Sequence, residues 1–223
     1  MTSDTRIIEV RKNILKKNDI IARELRQQFH DAGVFVVSLV SSPGSGKTTL
    51  LEKTLTLLQP EYRVAALVGD LATENDAARL TRCHAPVRQI TTGTLCHLEA
   101  AMIQTALNGW KLNDMDFLFI ENVGNLVCPS SYDLGENLRL ILMSTTEGED
   151  KPLKYPTIFN TADVAVITKM DLASAVEFDM TAATRNILAV RPDIAILRTS
   201  SKTGAGISDL LDLLRSRQAA ARK

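Results

Sequence analysis

Cysteine is scarce in this sequence, and the marks of several protein classes are missing. The 223 residues include 3 cysteines, an odd number that argues against a framework of paired disulfides. We therefore expect reduced thiols or metal ligands, and a cytoplasmic protein. Residues 1–4 lead directly into a charged segment without the apolar core of a signal peptide. No apolar run approaches the roughly 18 residues of a membrane span.

An excess of charge of either sign is also absent. Lysine and arginine together number 26, and so do aspartate and glutamate, which leaves a formal net charge of zero. The sequence contains no block of basic residues either. The charge pattern thus predicts no nucleic-acid partner and no membrane partner.

Short apolar runs alternate with stretches of helical periodicity. Because nearly continuous apolar runs are typical of strands buried on both faces, the alternation predicts an α/β fold with a mainly parallel sheet and helices on both faces. Strands are predicted at 34–40, 63–68, 87–91, 117–120, 138–143, 164–167 and 194–197, and helices at 5–30, 47–58, 95–107, 174–190 and 207–221.

The composition is typical of a globular protein with a substantial core, since 45% of the residues are hydrophobic and 23% are charged. No linker divides the chain, so we predict a single domain over residues 1–223. Within it, residues 1–33 should form an N-terminal helical extension, because apolar residues recur there at helical spacing, at Ile7, Ile8, Val10, Ile14, Leu15, Ile21, Leu25 and Phe29. The apolar face of that helix should pack on the sheet.

A glycine-rich turn follows the first predicted strand and opens the next helix. Residues 41–49 match the P-loop pattern G-x-x-x-x-G-K-[ST], except that Ser41 replaces the first glycine and should restrict the backbone. In such a loop, backbone N–H groups and the helix dipole point at phosphates. Lys47 should neutralise the β and γ oxygens, and Thr48 should bind Mg²⁺. The nucleotide-binding residues predicted here are Pro43, Gly44, Ser45, Gly46, Lys47, Thr48 and Thr49.

Acidic residues end two of the predicted strands, where ligands bind in parallel sheets. Asp70 ends the second strand and Glu121 ends the fourth, while Asp76 lies in a segment that we expect to switch with the nucleotide. Gly124 should let its N–H group approach the γ-phosphate. Each acid taken alone is equally well explained as a helix cap or a solvated charge. Together they predict catalytic roles for Lys47, Asp70, Glu121 and Gly124, and Mg²⁺ ligation by Thr48, Asp70, Asp76 and Glu121.

A second nucleotide signature follows the sixth predicted strand. Residues 168–171 resemble the N-K-x-D guanine motif, in which Asp171 accepts from two guanine donors that adenine lacks. Lys169 should lie over the base, and Thr168 should lack the amide with which the usual asparagine ties the loop. Residues 199–202 resemble an S-A-K element, which adds Ser200, Ser201 and Lys202 as nucleotide-binding residues. GTP is favoured; the alternative is an ATP-dependent small-molecule kinase of the same fold.

Thiol and imidazole groups provide candidate metal ligands. Cys96 and His97 precede a predicted helix, and Cys128 lies a few residues beyond Glu121. Thiolate and imidazole suit Zn²⁺ or Ni²⁺. A second pair at residues 83–84 is also Cys-His, so spacing alone does not decide which pair, if either, binds metal. Buried cysteines acting as small hydrophobes are the ordinary alternative.

These motifs together resemble the HypB family of nickel-inserting GTPases in hydrogenase maturation, a P-loop class switched by nucleotide-dependent dimerisation. The resemblance covers nearly the whole chain. It is carried by residues 41–52, 69–77, 91–100, 119–129, 144–148 and 167–172.

The resemblance implies a function and a set of partners. It implies Ni²⁺ or Zn²⁺ bound by Cys96, His97 and Cys128 at the contact of two GTPase domains in a GTP-dependent homodimer. It also implies transfer of nickel to the large subunit of [NiFe] hydrogenase with a small zinc-containing HypA-like accessory protein. Cys83 and His84 fall outside this ligand set. A related GTPase serving urease or a cobalamin enzyme is the nearest rival, against which the Cys-His and Cys-Pro pairs argue.

Overall fold

The seven predicted strands all form, and they pair in parallel. The computed structural model describes residues 3–70, 80 and 83–222, with side chains of the first helix from residue 12 onwards. Within these residues the sheet has the order β3-β2-β4-β1-β5-β6-β7. The strands are β1 (Phe35–Ser41), β2 (Val64–Asp70), β3 (Val87–Thr91), β4 (Phe117–Glu121), β5 (Leu138–Ser144), β6 (Val164–Thr168) and β7 (Ala195–Arg198).

Helices cover both faces of the sheet, as the long apolar strands require. They are α1 (Ser3–Ala32), α2 (Lys47–Leu58), α3 (Ala100–Ala106), α4 (Lys151–Lys154), α5 (Pro156–Thr161), α6 (Met180–Val190) and α7 (Ile207–Ala221). Short 3₁₀ turns in the described residues include Leu112–Asp114, Cys128–Ser131, Thr145–Glu147 and Met170–Leu172. The predicted fold class is therefore confirmed. Among the described residues, no helix combines the length and the apolar character that a membrane crossing needs.

The N-terminal helix α1 packs on the sheet through its C-terminal half. Leu25 and Phe29 are fully buried in a cluster with Val36 of β1 and Leu118 of β4. Burial of such side chains stabilises the fold by roughly 1.5–3 kcal/mol each. The predicted apolar face is wrong at Ile14, which is 47% exposed. The predicted positions at residues 7, 8 and 10 lie outside the described side chains.

Two predicted helices begin later than their apolar pattern suggests. Residues 95–99 form a loop, and α3 begins at Ala100. The helix predicted from residue 174 begins at Met180, because the Asp179 carboxylate accepts from the N–H groups of Thr181 and Ala182 at 2.9 Å each. Such a side-chain cap marks a helix start more strongly than apolar spacing does.

The parallel arrangement gathers the predicted functional segments at one edge of the sheet. Glu121 at the end of β4 pairs with Leu39 of β1 and with Val68 of β2. On the other side of β1, Ser144 at the end of β5 pairs with Thr168 at the end of β6. Strand ends that lie far apart in the sequence are therefore neighbours at this edge.

Candidate functional site

A cavity of about 530 Å³ opens at the carboxyl edge of the sheet. Four segments contribute to its wall: the P-loop, the last two residues of β2, the end of β4 with the residues that follow it, and the residue that follows β6. A cavity of about 610 Å³ lies beside Tyr62 and Trp110 at the amino end of β2, far from the predicted motifs. The lining of the first cavity is Pro43, Gly44, Gly46, Lys47, Thr48, Thr49, Gly69, Asp70, Glu121, Asn122, Val123, Gly124 and Lys169.

The P-loop turns directly into helix α2. Gly46 caps this helix in the left-handed region, with φ of 95°, a conformation that a side chain would strain. Lys47 and Thr48, the first two residues of the helix, are each 8% exposed and line the cavity. Backbone N–H groups at the start of α2 thus face the cavity together with a lysine, an arrangement suited to phosphate.

Ser41 occupies its position without the backbone restriction expected from the sequence. It is the last residue of β1, so its conformation is extended, where any residue fits. Its hydroxyl accepts a hydrogen bond from Lys47 Nζ at 2.8 Å and another from the Ser45 hydroxyl. Ser41 therefore holds the P-loop lysine in place.

Two oxygen ligands suited to Mg²⁺ meet in the cavity. Thr48 Oγ1 donates to Glu121 Oε1 at 2.7 Å, and the Glu121 side chain is almost fully buried. Asp70 lines the same cavity from the end of β2. Hydroxyl and carboxylate oxygens are the donors that Mg²⁺ prefers, so this set fits the ion. Asp76, the fourth predicted ligand, lies outside the described residues.

Gly124 approaches the P-loop closely. A Cβ atom at this position would lie 2.9 Å from Pro43 Cα and 3.0 Å from Pro43 N. Only glycine permits this contact with a neighbouring backbone. The segment that follows β4 is therefore packed against the loop that would surround the phosphates.

The predicted guanine motif is tied to the P-loop by side chains. Thr168 Oγ1 donates to Ser45 O at 2.6 Å, and Lys169 Nζ donates to Gly44 O at 2.7 Å. Thr168 lacks the amide of the usual asparagine, as the sequence indicated, but its hydroxyl ties the loop by reaching a P-loop carbonyl. Asp171 Oδ1 accepts from Ser200 Oγ at 2.6 Å, which brings the two predicted base-binding segments together. Ser201 and Lys202 follow in the turn beyond Ser200.

Residues 144–148 contact both the P-loop and the loop that carries the predicted guanine motif. Glu147 completes a capping box with Ser144, and its carboxylate also accepts from the Ser42 hydroxyl in the P-loop. Thr145 Oγ1 donates to Lys169 O at 3.0 Å. The capping pattern S-x-x-E was visible in the sequence, but its contacts to the two nucleotide loops were not.

Cys96, His97 and Cys128 meet in one cluster. Their ligand atoms all lie within 4.8 Å of one another, and the two Sγ atoms are 2.6 Å apart. The His97 ring stacks on Tyr132 with ring centroids 4.0 Å apart, and its Nε2 lies 3.4 Å from Glu99 Oε1. Neighbours of this kind orient a ligating imidazole. A soft thiolate and imidazole set suits Ni²⁺ or Zn²⁺.

The second Cys-His pair lies elsewhere. Cys83 is buried in the core against α2, where its Sγ donates to Glu52 O and accepts from Thr56 Oγ1, both at 3.4 Å. His84 is not in the cluster of ligand atoms found among the described residues. Cys83 therefore behaves as a small core residue, the ordinary alternative for a free cysteine.

Asn122 joins the nucleotide cavity to the cluster. It follows Glu121 directly, is 2% exposed, and its Oδ1 accepts from Leu98 N at 3.0 Å. The Leu98 side chain presses on Gly69, where a Cβ would lie 2.8 Å from it. Leu98 follows His97 and Gly69 precedes Asp70, so one residue touches both strand ends of the cavity. Sequence reasoning missed Asn122, because an asparagine among apolar residues carries no metal or phosphate signature.

Comparison with known proteins gives a consistent result. The family model described as "CobW/HypB/UreG, nucleotide-binding domain" matches residues 34–198. A relative from Azotobacter chroococcum mcd 1, named hydrogenase maturation factor HypB, is 46% identical over 209 residues, covering 94% of this chain and 68% of that protein. The crystal structure of HypB from Helicobacter pylori in complex with nickel has a TM-score of 0.88 at 41% identity, covering 93% of this chain and 97% of that chain. The hydrogenase maturation factor HypB from Archaeoglobus fulgidus has a TM-score of 0.85 at 38% identity, with coverages of 91% and 99%.

Proposed function

The chain belongs to the CobW/HypB/UreG family and within it to the HypB hydrogenase maturation factors, and from this we propose that it is a GTP-hydrolysing metallochaperone. It would carry nickel towards the large subunit of [NiFe] hydrogenase. The observation that carries the proposal is the Asn122 contact, which links the segment bearing Glu121 to the segment bearing His97. The proposed triphosphate site and the proposed metal site are thus connected by the hydrogen bond between Asn122 and Leu98.

The hydrolytic step would use groups that already converge on the cavity. Lys47 and the N–H groups at the start of α2 would neutralise the triphosphate, and Gly124 would donate its N–H to the γ-phosphate. Thr48 and Glu121 would hold Mg²⁺, which supplies charge neutralisation of the phosphate oxygens. Asp70, and Asp76 from outside the described residues, complete the proposed acidic set. Asp70 would orient the attacking water.

Guanine recognition would rest on Asp171. Its hydrogen bond from Ser200 fixes one carboxylate oxygen, so the side chain is already oriented when the base arrives. Lys169 and the turn at Ser201 and Lys202 would border the base. A carboxylate at this place rejects adenine, because adenine leaves it without donors.

The cluster would bind nickel as cargo, with zinc as a second candidate. Three protein ligands, Cys96, His97 and Cys128, leave a coordination position open for transfer. Val127, directly before Cys128, is 62% exposed, which suits a contact with a second copy of the chain. We propose a GTP-dependent homodimer at this surface, with a HypA-like accessory protein and the hydrogenase large subunit as partners.

We propose that the chain forms one domain over residues 1–223 and acts in the cytoplasm. Helix α1 packs on the same sheet that carries the cavity, which supports the single domain. The three cysteines, which all lie in the described residues, form no disulfide, and the cytoplasm is the compartment that keeps thiols reduced and available as ligands.

The function is tested by measuring Ni²⁺ affinity and stoichiometry, and molecular mass in solution, with GDP and with a non-hydrolysable GTP analogue. We expect the two nucleotides to give Ni²⁺ affinities that differ by about 5- to 150-fold, the usual range of coupling between sites, and a larger mass with the analogue. Cys96→Ala should abolish tight Ni²⁺ binding.

Lys47→Ala and Asp171→Ala are the controls for the nucleotide side. Lys47→Ala should bind Ni²⁺ like the parent in the absence of nucleotide and lose the nucleotide effect. Asp171→Ala should lose the preference for GTP over ATP. Equal Ni²⁺ affinity with both nucleotides in the parent, or unchanged Ni²⁺ binding in Cys96→Ala, would contradict the proposal.

A further inference from the structure

Helix α1 carries a buried polar side chain on its inner face. Asn18 is 5% exposed, and both ends of its amide are used. Its Oδ1 accepts from Ala100 N at 2.8 Å, and its Nδ2 donates to Asp133 O at 2.9 Å. One side chain therefore bridges two segments that are far apart in the sequence.

These two segments are the ones that bear the thiols and the imidazole. Ala100 opens α3, three residues after His97, and Asp133 lies five residues after Cys128. Tyr132, next to Asp133, stacks on the His97 ring. Asn18 thus links the two segments that carry the ligand atoms of the cluster.

A second contact fixes the Cys128 arm to the same helix. Arg26 Nη2 lies 2.6 Å from Asp133 Oδ1. Although burial opposes ionisation, hydrogen bonds from Arg26 and from Gly135 N hold the pKa of the Asp133 carboxyl below its ordinary value. This ion pair is about 40% exposed at both side chains, at 42% and 37%, and so contributes little alone. The buried amide is the stronger of the two contacts.

We propose that Asn18 is a positioning residue for metal binding, which sets the separation between Cys96–His97 and Cys128. The inference rests on the proposed function, since it concerns the same cluster. An asparagine suits this role because a single planar amide offers one acceptor and one donor at a fixed distance. Neither alanine nor a carboxylate can make both bonds. Groups that orient metal ligands commonly change the metal affinity of a site by about 10- to 100-fold when they are replaced.

The test compares three variants of the full chain by competition with a chromophoric nickel chelator. Asn18→Ala should lower Ni²⁺ affinity about 10-fold and weaken the thiolate-to-nickel charge-transfer band at saturation. Asn18→Asp keeps the acceptor for Ala100 N but sets a carboxylate oxygen against Asp133 O, to which it cannot donate, and should lower Ni²⁺ affinity at least as much. GTP affinity should stay unchanged in both, because Asn18 does not line the nucleotide cavity.

Phe29→Leu is the control for stability. Phe29 is fully buried in the same helix, about 16 Å along the axis from Asn18. This variant should lower the melting temperature while keeping the parent's Ni²⁺ affinity and spectrum.

The outcomes separate the two ideas. Parent-like Ni²⁺ affinity in Asn18→Ala overturns the inference alone, and so does an equal fall in Asn18→Ala and Phe29→Leu. If Cys96→Ala binds Ni²⁺ with the affinity of the parent, the proposed metal site is wrong, and the inference about Asn18 is wrong with it.

Discussion

At the scale of single residues, the cavity depends on contacts that leave no room for a side chain. Gly124 is the sharpest case, because the atoms it faces are backbone atoms of Pro43 that cannot rotate away. The segment after β4 and the P-loop are therefore held at a fixed separation. A change of that separation would misplace Glu121 and the Gly124 N–H with respect to a triphosphate.

We accordingly predict that Gly124→Ala slows GTP hydrolysis by about 100-fold, since a shift near 1 Å at a reacting centre has an effect of this order. Single-turnover hydrolysis measures it. Leu153→Ala, at a position 53% exposed on α4, should hydrolyse GTP at the parent rate. A Gly124→Ala protein as fast as the parent would show that this close contact is irrelevant to catalysis.

Thr168 and Ser41 show how a residue can depart from a motif and keep its structural task. Thr168 reaches the Ser45 carbonyl with a hydroxyl, and Ser41 supplies a hydroxyl acceptor for Lys47. Both roles need only one polar atom within hydrogen-bond distance. A sequence motif specifies residue types, whereas the structure requires only that a suitable donor or acceptor atom lie within hydrogen-bond distance of its partner.

At the scale of elements, the segment between β4 and the 3₁₀ turn at Cys128–Ser131 connects the two candidate sites. Its first residues line the nucleotide cavity, and the residue directly after it, Cys128, is a proposed metal ligand. Asn122 binds both Leu98 N and Val123 N, at 3.0 and 2.9 Å. A displacement of the β4 end would therefore pull on the loop at Leu98, beside His97.

Asn122→Ala should uncouple the sites. We expect the ratio of Ni²⁺ affinities measured with GDP and with a GTP analogue to fall towards one, while GTP and Ni²⁺ each still bind separately. Isothermal titration with each nucleotide provides the ratio.

Thr105→Ala serves as the matched variant, since Thr105 is exposed on α3 and its hydroxyl donates to Ala101 O of its own helix. It should keep the parent ratio. If Asn122→Ala keeps the parent's ratio of Ni²⁺ affinities, the two sites are not coupled through Asn122.

At the scale of the whole molecule, Asp116 joins the chain's C-terminal helix to the amino edge of the sheet. Its carboxylate accepts from Arg63 before β2 at 3.0 Å and from Arg222 after α7 at 2.6 Å. Hydrogen bonds from the Arg63 side chain, opposed by burial, together with those from Arg63 N and Arg222, hold the pKa of Asp116 well below its ordinary value.

This depressed pKa predicts a pH-dependent stability. The contribution of Asp116 is fully present above its unfolded-state pKa, roughly 3.9, and is lost as the pH falls through the lower folded-state pKa. Asp116→Asn should therefore melt at a lower temperature than the parent near neutral pH, and the difference should shrink below about pH 4. Thermal melts across this range measure it. A difference that grows towards low pH would contradict the assignment.

The sequence by itself determined the strands, their parallel pairing, most residues that line the cavity at the carboxyl edge, and the three members of the cysteine and histidine cluster. These features can be predicted from short stretches of sequence: buried apolar runs, a glycine-rich turn before a helix, and thiol or imidazole side chains. The start of α3 and the packing of α1 were less predictable, because apolar spacing does not reveal which side chains find a cap or a neighbour.

Only the tertiary structure decided which distant residues hold the sites together. Asn18, Asn122 and Glu147 are ordinary polar residues in the sequence, and their importance comes from partners 82, 24 and 105 positions away. The same holds for the Cys-His pairs, which differ in nothing but their surroundings. A hydrogen bond across the fold is set by where the backbone brings two atoms, and no local pattern encodes that meeting.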